Sequence, residues 1–196
     1  MTIKKTKLAL TGALVAGVAA LTGVGSLALF TDSQDVGANA FAAGTVDIGS
    51  TVTTDLVSFG DMMPGDVITD SLVVSNAANG ESFRYSLTSS ATNGDNKGLK
   101  DQLVLTVKTG DSGAPTACAA FTGTQLYTGD LDSAVGGVII GSTVQGNQAG
   151  DRTLAQGATE TLCFRVSLPG ATGNAFQGAA TTATFSFFAE QTANNP

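Results

Sequence analysis

Histidine and tryptophan are absent from the 196 residues, cysteine and tyrosine occur twice each, and proline occurs four times. Each shortage closes a class of function. Without histidine there is no Ser-His-Asp or Cys-His nucleophile system, no His-ligated zinc and no HExxH protease helix. Nine basic residues stand against 16 acidic ones, and only six of the nine lie beyond position 7. Phosphate contacts need clustered Lys and Arg, so no nucleic-acid partner is expected. What is abundant is glycine, at 25 positions, in a chain that is 42% apolar and only 13% charged. That composition favours many turns between short strands, and the length suits one domain, or one domain plus a removable segment.

Lys4, Lys5 and Lys7 open the chain, no charge occurs from Leu8 to Phe30, and the first acid is Asp32. A basic start, an apolar run and small residues at the third and first positions before a cut describe a cleavable secretory signal helix. Ser26-Leu27-Ala28 fits that rule and places cleavage between Ala28 and Leu29. The competing reading is an uncleaved membrane anchor, since 23 uncharged residues can span a bilayer. Gly12, Gly17, Gly23 and Gly25 weigh against the anchor, because they lower both hydrophobicity and helix propensity. On the cleavage reading the protein is secreted and meets the membrane only through its uncut signal. Six basic residues against 16 acidic ones then remain, a formal charge of −10 over 168 residues.

Export also bears on the cysteines. An oxidising compartment favours joining Cys118 to Cys163, with two unpaired thiols as the alternative. Closing a loop of about 46 residues would stabilise the fold by roughly 4 kcal/mol in the chain-entropy model.

Apolar periodicity is that of strands almost throughout. Phe83, Tyr85 and Leu87 alternate with Arg84, Ser86 and Thr88; Leu103, Leu105 and Val107 with Val104, Thr106 and Lys108; Leu162, Phe164, Val166 and Leu168 with Cys163, Arg165 and Ser167. Phe185, Phe187 and Ala189 oppose Thr184, Ser186 and Phe188. Cys163 thus falls on the polar side of its strand, where a bridge to Cys118 would pin a loop over the outer surface. Further strands are expected over residues 44–48, 51–59, 67–75, 121–127, 135–140 and 152–155, and residues 141–151 read as an exposed loop. Turns fall at Met63-Pro64-Gly65-Asp66, Asn79-Gly80, Asn93-Gly94-Asp95-Asn96, Ser112-Gly113-Ala114-Pro115 and Leu168-Pro169-Gly170. No segment after residue 44 holds a 3.6-residue period. The expectation is all-β, a two-sheet antiparallel sandwich of jelly-roll type behind the signal helix. Its divisions are 1–28 (signal), 29–43 (N-terminal segment) and 44–196 (sandwich).

Four stretches, in order, carry a resemblance. Leu29-Phe30-Thr31-Asp32-Ser33 follows the signal directly, and Ala43-Gly44-Thr45-Val46-Asp47-Ile48 begins the first strand. Pro64-Gly65-Asp66 precedes a strand ending in Val74-Ser75-Asn76. Leu168-Pro169, Asn174, Phe176-Gln177-Gly178 and the run from Phe185 through Phe188 to Gln191 close the set. Together they resemble the TasA/camelysin (CalY) family, whose members carry SipW-type signal peptides and whose best-known member forms biofilm-matrix fibres. The resemblance implies a jelly-roll subunit of an extracellular matrix or the cell surface, a dedicated signal peptidase and a head-to-tail homopolymer built by donor-strand exchange, and it leaves room for an accessory anchor protein. It also brings a peptidase name, against which the absence of histidine argues.

Mapped here, the donor is residues 29–41, with apolar points at Leu29, Phe30, Val36, Ala38, Ala40 and Phe41. An extended tail can pair its backbone with a partner's sheet edge, and head-to-tail contacts that do not close generate filaments. The alternatives are that the segment is the first strand of its own domain, or that it has no fixed structure. Other chemistry is sparse. Asp130-Leu131-Asp132 and Asn93-Gly94-Asp95-Asn96 offer oxygen ligands for calcium without the spacing of a known calcium loop, and turn acids account for both. Leu168-Pro169-Gly170-Ala171-Thr172-Gly173 is off by one from a sortase signal and no apolar tail follows. No catalytic residue, cofactor or metal ligand is nominated. Three function classes remain: a structural fibre subunit, a monomeric secreted adhesin or binding module, and a camelysin-like secreted protease.

Overall fold

The computed structural model describes residues 31–36, 48–50, 62–78, 80–112, 118–133, 135–193 and 195. The signal, its cleavage point at Ala28 and Leu29, and the expected strand over 51–59 lie outside the described residues. So does the strand expected over 44–48, save for Ile48. Within the described residues the period-two segments form ten strands: β1 (Thr31–Val36), β2 (Ile48–Ser50), β3 (Val67–Asn76), β4 (Phe83–Ala91), β5 (Val104–Thr109), β6 (Gln125–Asp130), β7 (Val138–Ile140), β8 (Arg152–Leu154), β9 (Thr159–Ser167) and β10 (Ala183–Gln191). Two single 3-10 turns, Leu99–Asp101 and Asn174–Phe176, are the helical content of the described residues. All strand pairs are antiparallel.

One sheet runs β1-β10-β4-β7, with β8 also on β4, and the other runs β2-β3-β9-β5-β6. Alternation puts one row of the longer strands between them. Phe83, Tyr85 and Leu87 of β4 and Phe185, Phe187 and Ala189 of β10 face Leu72 and Val74 of β3, Leu105 and Val107 of β5, and Leu162, Phe164 and Val166 of β9 in one buried cluster. Burying each large side chain contributes about 1.5–3 kcal/mol. The rings of Phe164 and Phe185 meet edge-on across the sheets at 5.2 Å, the arrangement that ring quadrupoles favour. The all-β two-sheet sandwich expected from periodicity is therefore the observed architecture.

Two strands differ from expectation, and backbone chemistry gives the reasons. The strand expected over 121–127 begins only at Gln125 and runs on to Asp130. Phe121 has a left-handed backbone, φ 54°, and the Asp111 carboxylate accepts the amides of Ala120, Phe121 and Thr122. Those amides are thereby withdrawn from any ladder. Gly123 then passes so close to β5 that a Cβ would stand 1.9 Å from the Thr109 carbonyl oxygen. The strand expected over 135–140 is cut to Val138–Ile140, because Gly136 and Gly137 turn in the left-handed region at φ 63° and 77°.

Cys118 and Cys163 are joined in a disulfide on the outer face of the β9 sheet. The loop it pins buries Phe121 against the two sulfurs. Arg165 sits over that ring, its Cζ 3.7 Å from the centroid. Lys108 approaches the ring at 4.7 Å and donates to the Phe121 carbonyl at 2.9 Å. Two of the six cations beyond the signal are thus engaged by an aromatic face, one of them by a carbonyl as well.

Candidate functional site

Among the described residues β1 occupies the margin of its sheet and pairs with β10, Thr31 opposite Glu190 through Val36 opposite Phe185. The other edge of β10 is held by β4 along its whole length, Ala183 opposite Ala91 through Gln191 opposite Phe83. β10 is therefore a fixed platform with one edge on the core of the sheet and one edge on the N-terminal segment. An antiparallel edge of this kind supplies alternating N–H and C=O groups, and the strand that fills it needs no particular side chain to be held.

Both faces of β10 are locked. On the inner face Phe187 packs against Tyr85, ring centroids 6.0 Å apart. On the outer face Glu190 forms an ion pair with its cross-strand neighbour Arg84, Nε to Oε1 3.3 Å, with side chains only 6% and 10% exposed. Arg84 also donates to the Asn195 carbonyl, and the Gly146 amide donates to both Glu190 oxygens at 3.0 and 3.3 Å. Those partners matter because a charge taken out of water is tolerated only when its remaining hydrogen-bonding capacity is met. A strand docking beside β10 thus meets a backbone that cannot easily shift register.

Of the donor residues expected from sequence, Leu29, Phe30, Ala38, Ala40 and Phe41 lie outside the described residues. Val36 is the last residue of β1, opposite Phe185. In the described chain the segment from Thr31 to Val36 completes its own sheet. The partner strand could not be identified from sequence, because pairing between distant segments leaves no local pattern.

Both acidic turns are satisfied from within the protein. Lys100 Nζ donates to Asp132 Oδ2 at 2.8 Å and to Asp101 Oδ1 at 2.9 Å, and those hydrogen bonds raise its pKa. A cation already stands where calcium would be sought. In the other turn Asp95 accepts the amides of Lys97 and Ala180 at 3.0 and 2.8 Å, which hold its carboxyl below the ordinary carboxylate value. Asn93 Oδ1 accepts the Gly98 amide.

No curated protein matches the chain. A family model described as camelysin metallo-endopeptidase matches residues 2–195.

Proposed function

The chain belongs to the TasA/camelysin family, and from that premise we propose that it is a secreted structural subunit that polymerises into extracellular fibres. In this reading the segment from Leu29 to Phe41 of one copy leaves its own β10 and replaces β1 of the next copy. The observation that carries the reading is the antiparallel pairing of β1 with β10 at the sheet margin. A strand contributed from the N-terminal end, held by one neighbour, can be exchanged for an identical strand from another copy at little net cost in contacts. Head-to-tail repetition of that exchange does not close on itself and yields a filament. The remaining partners are a dedicated signal peptidase acting at Ala28 and Leu29 and an accessory anchor protein.

The family's description names a metallo-endopeptidase, and the donor chemistry of this chain does not fit one. Catalytic zinc is held by three protein ligands, with His present in the common sets. This sequence has no His, and both Cys are committed to the disulfide. Among the described residues no three of His, Cys, Asp and Glu gather closely enough to hold a metal ion. No hydrolytic step is therefore assigned.

Deleting residues 29–41 tests the fibre reading. The truncated chain is expected to remain a folded sandwich by circular dichroism and to form no fibres in electron micrographs. Ordinary fibres from the truncated chain would overturn the assignment.

A further inference from the structure

The β10–β4 sheet divides along its far margin. β4 pairs with β7 through Leu87 and Thr88, and with β8 through Phe83 to Tyr85. Ser86 lies where those two partners part. Between them residues 141–151 leave the sheet as a loop whose ends meet, the Ser142 amide donating to Asp151 Oδ1 at 2.8 Å and the Gln148 amide to Asp151 Oδ2 at 2.9 Å. The loop leans across the outer face, where Gly146 reaches Glu190. Compact loops with touching ends are frequent sites of function.

Loop and sheet enclose a cleft of about 280 Å³, with Arg84, Ser86 and Glu190 among its lining and Phe188 and Val144 as its apolar members. Ser86 is 2% exposed and Arg84 5%, yet Ser86 Oγ and Arg84 Nε have no hydrogen-bond partner among the described residues. The Nε lies 3.3 Å from Glu190 Oε1 as an ion pair without hydrogen-bond alignment. Buried polar groups left unpaired are uncommon in folded proteins and call for a partner.

We propose that this cleft binds a single neutral pyranose ring. Three observations select that chemistry. Charge excludes an anion: Arg84 is balanced by Glu190, and Asp151 on the loop adds a further negative charge. The unpaired Ser86 hydroxyl, both donor and acceptor, and the Arg84 N–H, a donor, require a ligand rich in hydroxyls. The exposed Phe188 ring supplies a flat apolar wall for the C–H face that a pyranose presents beside its hydroxyl edge. The volume is just below the roughly 300–1,000 Å³ of ordinary ligand clefts, a size that one ring fills.

The test uses the full chain, labelled with nitrogen-15, titrated with neutral methyl glucoside, galactoside and mannoside in both anomers. Methyl glucuronoside serves as the anionic comparison and cyclohexylmethanol as the apolar one. At least one neutral glycoside is expected to move the Gly146 amide and the Arg84 Nε–H together. Ser86→Ala, which removes one hydrogen bond, should weaken it about tenfold. Phe188→Ala should weaken it as well, and glucuronoside should bind more weakly than its neutral counterpart. The proposal fails if no neutral glycoside moves those two resonances, if Ser86→Ala binds as tightly as the parent, or if glucuronoside or cyclohexylmethanol binds as well as the best neutral sugar.

Discussion

The Tyr85 hydroxyl donates to Glu160 Oε2 at 2.6 Å, a hydrogen bond that crosses from the sheet of β4 to that of β9. Arg152 of β8 completes the junction as an ion pair with the same carboxylate. A sandwich built on an apolar core thus has a directional link between its sheets near the end where β8 and β9 meet, beside a second one in which Asn76 Nδ2 of β3 donates to the Leu154 carbonyl of β8 at 3.2 Å. Tyr85 is buried, and its desolvation, followed by the nearby Glu160 charge, pushes the phenol pKa above the ordinary value of 10.0.

Removing either partner should weaken the junction unequally. Tyr85→Phe leaves Glu160 with Arg152 and is expected to cost about 1 kcal/mol. Glu160→Ala strands both a buried hydroxyl and a half-exposed guanidinium, for about 2–3 kcal/mol. Urea unfolding midpoints at constant slope measure the difference; equal losses would show that Arg152 gains nothing from the carboxylate. The phenol also sets an alkaline limit. Because its folded pKa is raised, the unfolded chain releases that proton first. Stability is full below pH 10.0 and falls as pH rises beyond it. Tyr85→Phe should flatten that alkaline fall, whatever it costs at neutral pH.

Gly123 and Gly170 form a matched pair for testing the loop that covers the outer face. A Cβ at Gly123 would stand 1.9 Å from the Thr109 carbonyl oxygen, whereas at Gly170 it would meet nothing within 4 Å. Gly123→Ala must push the loop away from β5, and is expected to destabilise by about 1–3 kcal/mol, in the range of overpacking substitutions. Gly170→Ala should remain within about 0.5 kcal/mol of the parent, as surface changes do. Thermal unfolding of the two variants checks both values, and equal midpoints would mean that the loop yields freely.

These two examples also mark how far the sequence could be read. β3, β4, β9 and β10 were legible to within a few residues, because a half-buried strand writes its face into every second position. Phe121 misled the same reasoning. Its apolar side chain extended the alternation backwards from Tyr127, but it is spent on the disulfide and Arg165 at a left-handed backbone position. The Met63-Pro64-Gly65-Asp66 turn closes as expected, the Asp66 amide donating to the Met63 carbonyl at 2.9 Å. The partner of β1 was not legible, nor was the Arg84–Glu190 pair. Both depend on which distant strands become neighbours, and strand register is settled by packing of whole faces rather than by local pattern.

Strand exchange makes a prediction about register that deletion cannot. Asp35 stands opposite Ser186 in the pairing of β1 with β10, and antiparallel partners lie about 4.5–5.5 Å apart at Cα, within reach of a disulfide. A chain carrying both Asp35→Cys and Ser186→Cys should cross-link within itself when oxidised, lock β1 in place and stay monomeric. Copies carrying Asp35→Cys alone, mixed with copies carrying Ser186→Cys alone, should yield disulfide-linked dimers as fibres form. The cross-linked yield should rise with salt, since six basic residues against 16 acidic ones after signal removal make the subunits repel one another until the charge is screened. Non-reducing electrophoresis reads both outcomes. Fibres that grow from the locked double variant, or that form in the mixture without dimers, would mean that the growing contact is not made by β1 on the edge of β10.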